Sequence, residues 1–174
     1  NKRPGPLDMR LNPNRGLTAA QWLERTTPEK LFETLQENAD EPHAAALASA
    51  LAGKSFSLTS DLTNAIREVL KARPTEDQDK SVRRTFQAIR IAVNEEFTAL
   101  EAFLRALPTA LNEGGRVAIL TFHSGEDRRV KKYFQAAFRD GLYKKIALDV
   151  IRPSAEECRS NPRATSAKLR WAYK

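Results

Sequence analysis

The chain has 174 residues, 41% of them hydrophobic and 29% charged, with a net charge of +7. That length suits about one domain of roughly 150 residues with room for a modest insertion, and the composition excludes collagen-like, disordered and membrane-spanning chains. One cysteine, Cys158, cannot close an internal disulfide, and two histidines, His43 and His123, assemble no zinc-ligand spacing, so no metal site is expected.

Residues 1–16 contain Pro4, Gly5, Pro6, Pro13 and Gly16, which predict a kinked loop packed against something else. Basic residues and prolines stand where a signal peptide needs an apolar run, so the chain reads as cytosolic. It opens on Asn1, as expected of a sequence that begins inside a longer reading frame. Thr18 is placed to cap a short helix through Trp22 and Leu23. Thr27 followed by Pro28 and Glu29 starts a second, with Leu31, Phe32 and Leu35 on one face. A third helix is expected from about Pro42 to Gly53 and a fourth from about Ser60 to Lys71.

Residues 72–80 are polar and predict a loop. From Ser81 to about Leu107 the apolar residues Val82, Phe86, Ile89, Val93, Phe97, Leu100 and Leu104 recur at steps of three and four. That spacing predicts one long helix, ended or kinked at Pro108. After Gly114 and Gly115, the run Arg116 to Phe122 is almost wholly apolar, the pattern of a strand buried on both faces. Helical spacing returns from Glu126 to Phe138, Ile146 to Ile151 predicts a further strand, and Ala167 to Tyr173 alternates like an edge or half-exposed strand.

Two features carry chemistry. The first is the end of the apolar strand, Thr121-Phe-His-Ser-Gly-Glu-Asp-Arg128, where an imidazole, a hydroxyl, two carboxylates and a guanidinium fall together at a place where α/β sheets bind ligands. A hydrolase triad is disfavoured, because His123 and Ser124 are adjacent on extended backbone and no third orienting group follows. The plain alternative is a helix start in which Ser124 caps, Glu126 and Asp127 meet the helix dipole, and His123 is packed. The second feature is charge: residues 128–174 hold 13 Lys and Arg against 4 Asp and Glu, a balance of +9, which suits a polyanion or an ordinary solvated surface. Asp8 and Arg10 alone read as an ion pair, and no glycine-rich phosphate loop occurs.

Taken together and in order, Gly5-Pro-Leu-Asp-Met-Arg10, Gly16-Leu-Thr-Ala-Ala20, Arg84-Thr-Phe-Gln-Ala-Ile-Arg-Ile-Ala-Val-Asn-Glu-Glu96, Gly114-Gly-Arg116, Phe122-His-Ser-Gly-Glu-Asp-Arg128 with Val130-Lys131, Asn161-Pro-Arg163 and Ser166-Ala-Lys-Leu-Arg170 resemble the MraW family. The resemblance runs from Gly5 to Arg170. It implies transfer of a methyl group from S-adenosylmethionine to the exocyclic amine of a cytosine in small-subunit rRNA. It also implies an α/β fold: the second half of a Rossmann-like methyltransferase domain with an inserted small all-helical domain.

On that reading residues 1–16 connect, 17–80 form the helical insertion that helps hold substrate, and 81–174 complete the sheet domain. The family's upstream glycine-rich loop, ribose-binding acid and Asp-Leu-Gly-Val-Ser-Ser segment have no counterpart here. The chain therefore resembles the C-terminal part, and no cofactor-binding residue is assigned to it. Substrate-pocket candidates are His123, Ser124 and Asp127, with Asp8 and Arg10 as neighbours. Arg128, Lys131, Lys132, Arg163, Lys168 and Arg170 are the candidates for rRNA phosphates. The partner implied is small-subunit rRNA or the small ribosomal subunit, with no membrane contact and a homodimer left open. Gly125 departs from the family's usual leucine. The competing reading is a non-catalytic RNA-binding module that keeps the substrate half.

Overall fold

The computed structural model describes residues 4–174, so the first three residues of the expected loop lie outside it. The chain packs as two units divided between Glu96 and Phe97.

The first unit is helical: α1 (Ala19–Arg25), α2 (Pro28–Ala39), α3 (Ala44–Leu51), α4 (Thr59–Val69) and α5 (Thr75–Val93). Thr18 and Thr27 cap α1 and α2 as their positions suggest, Thr18 reciprocally with Gln21. Leu7, Leu23, Leu31, Leu35, Leu47, Leu62, Ile66 and Ile89 share one buried core. Residues 81–93 contribute Ala88 and Ile89 to that core, so the packing boundary falls well after position 80.

Two expectations fail here. Residues 75–80 are helical and not loop: Lys80 pairs with Glu76 at 2.8 Å one turn away, and Asp79 pairs with Arg67 at 2.8 Å, which supports a turn with no apolar face. The long helix is also broken. Glu95 adopts a left-handed φ of 50°. The Asn94 side chain donates to the Met9 carbonyl at 2.9 Å and accepts from the Leu11 N–H at 2.7 Å, tying the break to the N-terminal segment.

The second unit is mixed α/β: α6 (Glu96–Ala110), β1 (Arg116–Thr121), α7 (Ser124–Arg139), β2 (Lys145–Ile146), α8 (Ala155–Ser160) and β3 (Lys168–Tyr173), with a 3-10 turn over Pro162–Ser166. Lys174 closes α6 by donating Nζ to the Pro108 and Leu111 carbonyls, at 2.8 and 2.9 Å. The three strands form an antiparallel sheet in the order β1-β3-β2. β3 is therefore central, and its burial alternates as that of a half-exposed strand. In place of the expected strand 146–151, only Lys145–Ile146 and a single bridge from Ile151 to Leu169 pair.

Val117, Ile119 and Ala172 face the core with Leu104 and Leu107 of α6 and Val130, Phe134 and Ala137 of α7. β1 is not buried on both faces: Ala118 and Leu120 point the other way, and Leu120 is 54% exposed. Among the described residues no helix is long and apolar enough to cross a membrane, and no cluster of three or more His, Cys, Asp or Glu could hold a metal.

Candidate functional site

The turn from β1 into α7 brings the strand-end residues together. His123, and not Ser124, occupies the N-cap. Its backbone is extended, φ −140° and ψ 163°, and its Nδ1 accepts from the Glu126 N–H at 3.4 Å. Nδ1 is thereby assigned as the unprotonated nitrogen and Nε2 as the N–H. Nε2 lies 3.2 Å from Glu126 Oε1, but off the hydrogen-bonding line, so it is close enough for attraction without an aligned partner. Glu126 Oε2 accepts from the Phe122 N–H at 3.0 Å. Both imidazole nitrogens thus face Glu126, and Ser124 follows exposed as the first residue of the helix.

Burial raises the Glu126 carboxyl, but the His123 imidazole and the Phe122 N–H outweigh it, and the group lies below its ordinary range. A carboxyl depressed on folding stabilises above its unfolded value, near 4.3, and that contribution is lost as pH falls through the folded value. Glu126→Gln should therefore be less stable than the parent at neutral pH. The gap should close below about pH 4 in thermal melts; a gap independent of pH would contradict the assignment.

An aromatic wall that the residue pattern did not announce backs this turn. The Phe97 ring lies 5.7 Å from the imidazole. The Arg129 guanidinium sits 3.5 Å over the same ring, bonded to Glu101 Oε1 at 3.0 Å and the Gly125 carbonyl at 3.2 Å. A Cβ on Gly125 would stand 2.7 Å from Phe97 Cζ, so glycine is what lets the ring reach the helix start. The one signal in the sequence was that glycine at the place of the family's leucine.

Asp127 and Arg170 meet in a bidentate pair, Nε to Oδ1 at 2.7 Å and the terminal nitrogen to Oδ2 at 3.2 Å, with side-chain exposures of 15% and 7%. A fork committed inside the unit is not offered to a phosphate, so Arg170 leaves the surface set, and Asp127 acts as its counter-ion. Arg128, Lys131, Lys132 and Arg163 are exposed, and Lys168 is half-buried.

Asp8 and Arg10 belong to the first unit. Arg10 grips Asp8 at 2.6 and 2.8 Å around Met9, whose φ is 62°. The Arg10 hydrogen bond holds the Asp8 carboxyl below its ordinary range. The Asp8 carbonyl accepts from Ala19 N–H at 2.7 Å. The pair fastens the loop to the start of α1.

These residues do not by themselves fit S-adenosylmethionine. The strand-to-helix turn has its glycine pressed against the Phe97 ring and not open to a ligand.

Comparison with known proteins gives the lineage. Ribosomal RNA small subunit methyltransferase H 2 of Alkaliphilus metalliredigens is 53% identical over 99% of this chain and 52% of its own length. Methyltransferase H 1 of Lachnoclostridium phytofermentans is 48% identical over 99% of this chain and 50% of its own. Methyltransferase H of Polynucleobacter asymbioticus is 38% identical over 99% and 60%. The chain spans about half the length of the first of these relatives. The MraW methylase family matches residues 2–174, essentially the whole sequence, and the chain belongs to that family.

Proposed function

We propose that this chain is the C-terminal part of an S-adenosylmethionine-dependent methyltransferase acting on the exocyclic amine of a cytosine in small-subunit rRNA. The observation that carries the reading is the family match over residues 2–174. On it, residues 17–80 are a helical insertion contacting substrate, 1–16 connect, and 81–174 complete a Rossmann-like domain in the cytoplasm. The cofactor, when bound, supplies an electrophilic methyl group, and its binding residues are assigned outside this chain.

The contribution of these residues is orientation, which for transfer to an amine counts for more than strong acid-base chemistry. His123 is a positioning residue: it caps α7 and fixes the turn. Ser124, exposed at the first position of α7, is the residue assigned to the substrate. In a protein joining this chain to the part of the relatives it does not match, His123→Ala should lower methyl transfer at least about tenfold, near 1.4 kcal/mol. It should also cost about 0.5–2 kcal/mol of stability from the lost cap. His123→Asn, a good cap, should recover both; an Asn variant as inactive as the Ala one would give the imidazole a direct role.

Arg128, Lys131, Lys132, Arg163 and Lys168 are assigned to rRNA phosphates. Lys131→Ala with Lys132→Ala should reduce the slope of log affinity for rRNA against log salt by about one to two units. An unchanged slope would return these lysines to ordinary solvation.

The competing reading, an RNA-binding module without catalysis, draws on the +9 balance of residues 128–174. It is the reading that stands if rRNA binds with this salt dependence yet the joined protein transfers no methyl group.

A further inference from the structure

The polar turn that starts α7 is backed by a stack of side chains from two helices. Phe97 and Glu101 stand one turn apart on α6, and Gly125 and Arg129 one turn apart on α7, so each pair shares a face. Glu101 Oε1 accepts from Arg129 Nε at 3.0 Å, the Arg129 guanidinium lies 3.5 Å over the Phe97 ring, and that ring lies 5.7 Å from the His123 imidazole at a tilt of 44°. A second guanidinium nitrogen donates to the Gly125 carbonyl at 3.2 Å, and Gly125 has no Cβ to push the ring away. Arg129 is thus fixed at two points before it meets the ring. Phe97, itself buried, is gripped between a cation and an imidazole.

The stack acts on the one freedom that the cap leaves open. The imidazole caps α7 only while Nδ1 faces the Glu126 N–H, 3.4 Å away. A half-turn about the Cβ–Cγ bond puts Cδ2 in that place, and the cap is lost although the backbone has not moved. Nε2 offers little resistance, because Glu126 Oε1 at 3.2 Å is off its hydrogen-bonding line. Restraint falls to the face of Phe97 and to the cation behind it. We propose that Phe97 and Arg129 are positioning residues of the methyl-transfer site: acting through His123, they hold the imidazole in its capping orientation and keep Ser124 where the cap places it. Their effect on the reaction rests on the methyl-transfer reading, and their effect on the imidazole on geometry alone.

The test follows both effects in the same variants. Nitrogen NMR of isotope-labelled imidazole is recorded at alkaline pH on this chain with His43→Gln, which leaves His123 as the sole histidine. The parent should show one neutral tautomer, with the proton on Nε2. Arg129→Met keeps an apolar stem and removes the charge and both hydrogen bonds; Phe97→Leu keeps bulk and removes the flat face. Each should move the two nitrogen signals toward their mean, as the tautomers exchange. In the protein joined to the unmatched half of a relative, the same variants should lower kcat per folded molecule about five- to tenfold and leave KM for rRNA within about twofold. In a His123→Ser background the cap is a hydroxyl that needs no ring orientation, and Arg129→Met should then cost less than about twofold. Unshifted nitrogen signals in both variants would overturn the proposal, and so would an equal loss in the serine background, which is what a purely structural stack produces. A joined parent that transfers no methyl group would overturn the methyl-transfer reading alone, and the nitrogen signals would still decide whether the stack holds the imidazole.

Discussion

Replacing Arg170 with alanine should destabilise the second unit by about 3–5 kcal/mol, the cost of leaving one partner of a buried ion pair uncompensated. The guanidinium and the Asp127 carboxylate meet at 2.7 and 3.2 Å, and neither side chain is more than 15% exposed. Alanine would strip the carboxylate of both donors without restoring water. The two members of the pair come from the central strand and the first turn of α7, so losing it loosens the helix start that carries His123 and Ser124. Exchanging both for apolar residues, Arg170→Met with Asp127→Leu, should recover most of the loss, because no charge then remains unpaired. Tryptophan fluorescence in urea reads the second unit selectively once Trp22, the other of two tryptophans, is replaced by phenylalanine, leaving Trp171 as reporter. A loss under about 1 kcal/mol for Arg170→Ala would mean the pair behaves as a surface one.

Gly125→Leu should cost about 1–3 kcal/mol by overpacking. The contact at 2.7 Å is to the tip of the Phe97 ring, which could in principle swing aside. It is held, though, by Arg129 stacked 3.5 Å over its face and by the imidazole beside it, and Phe97 is itself buried. Combining Gly125→Leu with Phe97→Ala should recover part of the loss, since the leucine then fills the space the ring vacates. Additive losses measured in the same urea titrations would show that the two residues do not share that space.

The features that could be read from the sequence were those set by neighbours in the chain. Thr18 and Thr27 cap because their side chains reach N–H groups three residues on. The strand Arg116–Thr121 and the helix after it follow from local pattern. The features that could not were set by residues far away. The helix break at Asn94 depends on Met9 and Leu11, some 85 and 83 positions back. Arg170 looked like one of several basic residues near the C-terminus, and only the fold reveals a carboxylate 43 positions earlier that draws it inside. His123 took the cap because its Nδ1 can accept from Glu126, a use of imidazole that residue type alone ranks below serine. The apolar run of β1 announced a strand, but whether one or both faces are covered depends on what else packs against it.

The most direct test of the central claim is nucleoside mass spectrometry of small-subunit rRNA. The chain, completed by the unmatched half of a relative, is expressed in cells that lack their own copy of the family's enzyme. Cytidine methylated on its exocyclic nitrogen should appear in small-subunit rRNA, and fall with Ser124→Ala; a folded, rRNA-binding protein that leaves every cytidine amine unmethylated, or methylates a different base, would contradict it.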